Sequence, residues 1–583
     1  MISGNREENC MGGYMVPTVE AGSYRLQTER LGALPILNHF LGRLGLVDRL
    51  QGSLAVLETW PRVPTVSILG VVLRILCLRR EPLYAVEEWA QPYDLNVLGL
   101  TDETEREHLN DDRVGRALTR LFLVDRATML NDVALAMVKA FDIDCSQLHN
   151  DSSSITFHGG YPEATGRPRG GKPTSHITHG HNKDHRPDLK QLLWILTVSA
   201  DGAVPLAYRL ADGNTGDEAT HIPTWDGLVQ LVGRTDFLYV ADSKLCTRPA
   251  MDHIDRHGGR FLTVLPQTRA EDDAFRQWLV THTPPWTQVR RQPGRRHGDP
   301  EAIWWALAWP EPSQEGYQIH WFRSSQKIAH DAAQRTDRLR RAQTAIDELA
   351  ARLASPRSRF RDPQAVADVV EEILGRTATA AFIHYTLTTQ TEERFRQENR
   401  GRPKAETRYR RITRPRIHVR YDIDATAVQA EAASDGCSPL ITNDRKLTSE
   451  ELLTAYKYQP QLEQRHEELK GPMAVAPVFL QDNQRIEGLL CLEFLALLIR
   501  ALIEREIRQA MAREHLSELS LYPEDRGCAA PTATRVLAIF DDLARHRLFE
   551  GDALVQSFPP ELSPLQQQVL TLLDVPSSVY ATL

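Results

Sequence analysis

The sequence predicts an α/β protein in which an α/β core is interrupted by a β-rich insertion and flanked by helical units. Three observations carry this. Strand-like and helix-like runs alternate between 145 and 266, with carboxylates at strand ends. The alternation is lost from 270 to 435, where short strand-like runs surround one long helix. Before and after these regions, apolar residues recur at three- and four-residue spacing. At roughly 150 residues per domain, 583 residues hold three to five such regions.

Taken in order, residues 1–24 read as a flexible N-terminus. Residues 25–140 form a helical unit, through Leu31–Leu37 and Arg113–Phe141. The core's first part, 141–269, opens with a β-branched strand, Leu148–Phe157. Gln191–Ala200 and Val204–Leu210 flank Asp201-Gly202, a hairpin signal. A helix over 218–232, a strand over 235–242, a helix over 246–257 and a strand over 259–265 follow. In the insertion, 270–435, strand-like runs at 303–309 and 318–322 precede a helix over 326–353, then further β-like stretches at 378–390 and 412–424. The core resumes over 436–515 with helices from 448, and the tail, 516–583, reads as mostly helical.

Bulk composition excludes several classes. With 42% hydrophobic and 25% charged residues the chain is not disordered. A net charge of −8 argues against a uniformly basic nucleic-acid coat protein but leaves room for a local patch. Seven scattered cysteines with no Cys-x2-Cys pair argue against a disulfide framework and fit a reducing cytoplasm. The N-terminus does not read as a signal peptide. The two most apolar runs, 66–77 and 489–503, contain Arg74, and Glu493 and Arg500, and read as buried helices, so no membrane is expected.

Asp151 lies in the first core strand and Asp242 ends a later one. Brought together, two such charges repel unless a divalent cation sits between them. Equally, an aspartate at a strand end is an ordinary turn former or helix cap. A third element sharpens the pattern. Thr448 and Glu451 form a capping box, and Gly471-Pro472 stops the helix they start. Within it Tyr456, Glu463 and Lys470 are seven residues apart, two helical turns each, near one face. That face could hold metal and phosphate, or could simply be a solvated charged surface.

The spacing Tyr456-x2-Gln459-x3-Glu463-x6-Lys470 resembles the Tyr-x2-Arg-x3-Glu-x6-Lys signature of bacterial insertion-sequence transposases of the Asp-Asp-Glu group, IS-four superfamily. Asp151-Ser-Ser-Ser, the run Asn182–Gln191, Ser438–Asn443 and Tyr522-Pro-Glu resemble its sixteen-thirty-four branch. The resemblance covers about residues 25–583. It implies an RNase H-like catalytic core with a β-rich insertion before the Glu helix. It implies that Asp151, Asp242 and Glu463 bind two Mg²⁺ ions (Mn²⁺ substituting), and that Tyr456, Gln459 and Lys470 contact DNA near the cleaved end. The activity implied is metal-dependent DNA cleavage and strand transfer at inverted-repeat ends, by a homodimer on double-stranded DNA in the bacterial cytoplasm. Two departures stand out. Gln459 occupies the family's arginine position and loses a phosphate-binding fork, and Pro460 is expected to kink the helix just before Glu463. A transposase-derived DNA-binding protein with impaired catalysis is therefore the alternative.

Residues 394–420 carry eleven Arg and Lys against two Glu, a net +9, with Phe395 and Tyr409 interleaved. Arg402, Lys404, Arg408, Arg410, Arg411 and Arg414 are read as DNA-backbone contacts; a solvated surface is the plainer reading. Arg290, Arg291, Arg295 and Arg296 form a smaller cluster. Trp304, Trp305 and Trp309 either stack an extruded base or, for at least two of them, fill the insertion's core. His176, His179, His181 and His185 crowd one loop, which reads as a DNA-facing segment or a zinc site.

Overall fold

In the computed structural model, residues 24–57, 63–78, 81–294, 300–475 and 478–581 are described. All of the flexible N-terminus expected over 1–24 but Tyr24 lies outside them, as do Arg295 and Arg296. The chain divides into two units, one comprising the chain up to Phe261 and from Ala455 onward, the other Leu262–Thr454.

The first unit begins with a correction. Tyr24–Arg30 (β1), expected as helix, is a strand. Helix begins at Leu34–Leu44 (α1), with Pro35 in its first turn and left-handed Gly45 (φ 56°) closing it. Leu46–Leu54 (α2), the almost wholly buried Thr65–Leu78 (α3), and the short helices Val86–Ala90, Leu95–Leu98 and Glu103–Glu107 (α4–α6) follow. Asp111–Leu123 (α7) and Arg126–Phe141 (α8) start on Asn110 and Asp125, whose side chains accept the backbone N–H of Arg113 and Thr128.

The core strands then appear close to where the sequence places them: Gln147–Phe157 (β2), Lys190–Ser199 (β3), Pro205–Asp212 (β4), Leu238–Ala241 (β5) and Arg260–Val264 (β6). Helices His221–Val232 (α9) and Arg248–Arg256 (α10) are interspersed. The strand order is β4-β3-β2-β5-β6. β2–β3 and β3–β4 are antiparallel, whereas β2 and β5 are parallel with Asn150 opposite Ala241. Asp151 and Asp242 are therefore the next residues along two adjacent strands. The β3–β4 turn uses Gly202 (φ 78°), and a Cβ there would meet the Arg505 side chain at 2.7 Å.

In the second unit β6 is followed by Ala270–Thr281 (α11), Thr287–Gln292 (β7), Ala302–Ala308 (β8), Gln318–Ser324 (β9), Ser325–Ala354 (α12) and Pro363–Thr377 (α13). Ile383–Gln397 (β10), Tyr409–Ile423 (β11), Ala425–Ala432 (α14) and Cys437–Thr442 (β12) complete it. The sheet order here is β6-β12-β9-β8-β7. The insertion is thus not simply β-rich: among its described residues four helices accompany the strands. One core packs Ile346, Leu349 and Leu353 of α12 on Val366, Val370 and Leu374 of α13 and on Ile383 and Ile417 of the β10–β11 hairpin. That spacing on α13 is helical, although the sequence reading does not place a helix there. Phe275 stacks on Trp321 with centroids 3.7 Å apart, beside Trp309 and Trp278. Trp304 is buried and Trp305 half-buried, so the tryptophans serve chiefly as core.

Ser449–Tyr456 (α15) leads back towards the first unit. Gln459–Lys470 (α16), Asn483–Arg513 (α17) and Ala533–Ala538 (α18) follow, then Ala544–Glu550 (β13), Ala553–Phe558 (β14) and Pro564–Leu572 (α19). β1, β13 and β14 form a three-stranded sheet, so the tail is not mostly helical. The strands β13 and β14, joined through Gly551 (φ 59°), are short, and the apolar side chains of β14, Leu554, Val555 and Phe558, are exposed, so no buried face marks them in the sequence. α17 is buried nearly all round its length. Among the described residues no helix is long and apolar enough to cross a membrane.

Candidate functional site

The Glu-bearing segment does not run as one kinked helix. Lys457 and Tyr458 form a turn between two helices, and Pro460 falls in the first turn of α16, where a missing N–H costs nothing. Tyr456 therefore ends α15 while Glu463 and Lys470 share α16. The predicted capping box at the start of α15 is present: Thr448 N–H donates to Glu451 Oε2 (2.8 Å) and Glu451 N–H to Thr448 Oγ1 (3.3 Å).

A buried ionic network fixes α16. Arg465 Nη1 donates to Glu468 Oε2 and Glu504 Oε2, both at 2.7 Å, and its Nε to the Ala203 carbonyl (3.0 Å). Arg500 Nε reaches Glu468 Oε1 at 2.6 Å. Burial pushes the Glu468 carboxyl up, and Arg500 and Arg465 more than reverse this. Gln459 is also inside: its Oε1 is 2.8 Å from His149 Nδ1, and its Nε2 donates to the Asn150 carbonyl (3.2 Å). Burial holds His149 down at about 4, so the ring is neutral and Nδ1–H can donate to Gln459. Gln459, expected as a DNA contact, instead bolts α16 to β2 beside Asp151. A buried amide with both ends occupied is not offered to a phosphate.

Asp151 is mostly buried, with 23% of its side chain exposed. Burial raises its pKa to about 6; Lys183 opposes this, while Asp242 and Asp217 add to it. Asp242 is also raised, first by burial, although its carboxylate accepts the Lys244 N–H (3.0 Å). Tyr456 is pushed up to about 12 by burial and by the charges of Asp242, Glu463 and Asp151. All three predicted acids therefore act on this one phenol. Glu463 itself is exposed on α16, and Lys470 pairs with Asp184 at 2.6 Å.

Three groups that the sequence reading does not single out belong here. Lys183 Nζ stands 3.7 Å from Asp151 Oδ1 and 3.2 Å from Asp217 Oδ2, and donates to the carbonyl and hydroxyl oxygens of Ser152, each at 2.7 Å. Asp217 accepts from Ser152 Oγ (2.7 Å). His466 is buried, 3.9 Å from Asp151 Oδ2, with neither ring nitrogen hydrogen-bonded, and burial holds it down at about 3. Lys183 lies in the run Asn182–Gln191 and His466 three residues after Glu463, so both are within reach of the motif.

Asp151 and Asp242 offer only oxygen donors, the set that suits Mg²⁺ or Mn²⁺. Raised carboxyls crowded by other acids are groups that a cation relieves, so the pair fits such an ion. Among the described residues, however, no three His, Cys, Asp or Glu side chains are grouped to hold one metal. That includes the histidine loop, where His179, His181 and His185 are exposed and His176 half-buried.

Arg402, Lys404, Arg408, Arg410, Arg411 and Arg414 are exposed on the β10–β11 hairpin and its connecting loop. Arg411 pairs with Glu393, and Glu392 accepts from Arg394 (3.1 Å) and Arg416 (2.9 Å). Acids of β10 thus offset part of the expected +9.

Residues 26–135 match a family described as "Domain of unknown function (DUF4277)". No curated protein matches the chain. The chain is similar to a solved piggyBac transposase synaptic complex with hairpin DNA, at 7% identity and a TM-score of 0.33, over 82% of this chain and 76% of that one.

Proposed function

We propose that this chain is a DNA transposase of the Asp-Asp-Glu type, of the IS-four superfamily and its sixteen-thirty-four branch, which cuts the inverted-repeat ends of an insertion sequence and joins them to target DNA. One observation carries the reading. Asp151 and Asp242 directly follow the paired residues Asn150 and Ala241 of two parallel strands, and their charges and that of Glu463 all raise the phenol of Tyr456, the tyrosine of the motif that resembles this family. An RNase H-like core accords with three antiparallel strands whose first member also pairs in parallel with the fourth.

Asp151, Asp242 and Glu463 would hold two Mg²⁺ or Mn²⁺ ions, which when bound activate a water or 3′-hydroxyl oxygen and stabilise the leaving one. Tyr456 and Lys470 would serve as phosphate contacts. The arginines of the hairpin track the DNA backbone, and a homodimer forms on paired ends. Incubating a labelled repeat-end duplex with the protein and Mg²⁺ or Mn²⁺ tests this: metal-dependent nicking at the element boundary is expected. Binding without nicking in either metal favours a second reading, a DNA-binding protein with impaired catalysis, which the inward-turned Gln459 supports.

A further inference from the structure

Asp217 and Asp242 both act on the half-buried Asp151, and Asp217 acts on Asp242, and burying like charges together is expensive without a counter-charge. The chain supplies one. The Lys183 ammonium donates to the Ser152 carbonyl and to Ser152 Oγ, and forms ion pairs with Asp217 Oδ2 at 3.2 Å and, more loosely, with Asp151 Oδ1 at 3.7 Å. Ser152 Oγ in turn donates to Asp217 Oδ1, which closes a ring of Lys183, Ser152 and Asp217 beside Asp151. Asp151's other oxygen stands 3.9 Å from the ring of the neutral His466, too far to bond. One oxygen of Asp151 is thus neutralised from within and the other is left towards a ring with two unsatisfied nitrogens.

We propose that Lys183 is the resident counter-ion of this site: it holds the acids together without metal, competes with a divalent cation for Asp151, and is anchored away from it by Asp217. This rests on the metal-dependent reading above, but makes Lys183 and Asp217 positioning residues that the Asp-Asp-Glu triad does not include. If a cation takes Asp151, the ammonium need only lean onto Asp217, already its nearer carboxylate. Metal affinity would then be set partly by how strongly Asp217 retains Lys183.

The test is Mn²⁺ binding to the full-length protein without DNA, by calorimetry and by the free-Mn²⁺ electron paramagnetic resonance signal, together with melting in chelator. Lys183→Met should tighten Mn²⁺ binding about tenfold, lower the melting temperature in chelator, and show a larger Mn²⁺-induced rise than wild type. Lys183→Arg, which keeps the charge, should stay near wild type. Asp217→Asn should weaken Mn²⁺ binding, because the ammonium then has only Asp151, and the double variant should bind as tightly as Lys183→Met. The double variant matters most, since if Asp217 merely ligated the metal it would stay weak. Unchanged or weaker Mn²⁺ binding in Lys183→Met, with wild-type binding still lost in Asp151→Asn, would overturn this inference alone. Wild-type protein that takes up no Mn²⁺ would overturn both it and the metal-dependent reading.

Discussion

The acid site of the first unit and the arginine hairpin of the second solve opposite problems. Asp151 and Asp242 are half-buried and Glu463 rides exposed on α16, whose position is set by partners behind it: Gln459 locks α16 to β2, and Arg465 and Arg500 pin it through Glu468 and Glu504. The hairpin presents its charges to solvent, with β10 and β11 in unbroken register over fifteen residue pairs. Bond-making chemistry needs fixed positions, whereas backbone tracking needs charge density and tolerates motion. Substitutions should therefore separate the two regions cleanly.

The largest effect belongs to the acid site. Asp151→Asn should lower the strand-cleavage rate at least about a thousandfold, roughly 4 kcal/mol of transition-state stabilisation, with repeat-end affinity in a gel-shift assay nearly unchanged. Full cleavage by this variant would remove the comparison altogether. Next is the support behind it. Arg465→Met leaves Glu468 and Glu504 buried with one cation fewer, and should cost about 3–5 kcal/mol in denaturant unfolding. A cost below about 1 kcal/mol would mean that the network does not hold α16.

The hairpin should respond in salt dependence instead. Replacing Arg408, Arg410, Arg411 and Arg414 with Ala should reduce the slope of log affinity against log salt by up to about 0.9 for each phosphate no longer neutralised. The unfolding midpoint should hardly move, as expected for exposed positions. Stability loss with an unchanged salt slope would instead make the hairpin a structural element.

A smaller effect is acid sensitivity of the site-bearing unit. Burial holds His149 and His221 at about 4 and His466 at about 3, against 6.5 when exposed. Folded values below the unfolded one mean that unfolding takes up protons, so this stability is complete above 6.5 and is lost as pH falls. Asp151, raised from 3.8 to about 6, acts in reverse, its penalty growing as pH rises between those values. Asp242, also raised by burial, adds to this, but three strongly lowered histidines outweigh the two aspartates and predict a net loss of metal-free stability from pH 6.5 to 4, seen in melting curves and unaltered in the hairpin variant. The smallest effect is Pro460→Ala, expected to lower stability by no more than about 1 kcal/mol through the unfolded chain's entropy.

Much of the core is readable because its signals are local. Strands β2 to β6 announce themselves by β-branched runs and by Asp201-Gly202. The helix stop at Gly471 and the Thr448–Glu451 cap need only neighbouring residues. What the sequence hides depends on partners far along the chain. β1 finds its mate more than five hundred residues later, at Glu550 opposite Tyr24, and no periodicity within YRLQTER reveals that. Asp217 and Lys183 meet Asp151 only because separate loops return to β2. Gln459 reads as a weakened phosphate contact because the motif says nothing of which way a side chain turns; burial against His149 decides it.

The joint at Lys457–Tyr458 changes what the motif's spacing measures. Between Glu463 and Lys470, seven residues are an angle around one helix axis. Between Tyr456 and Glu463 the same seven residues cross the turn that separates α15 from α16, and so do not measure an angle around one helix axis. A one-residue insertion inside α16 would rotate Lys470 away from Glu463, yet one at Lys457–Tyr458 could be absorbed in the turn. The signature is therefore two rulers laid end to end, one angular and one linear, and relatives of this chain can drift at the second without losing the first.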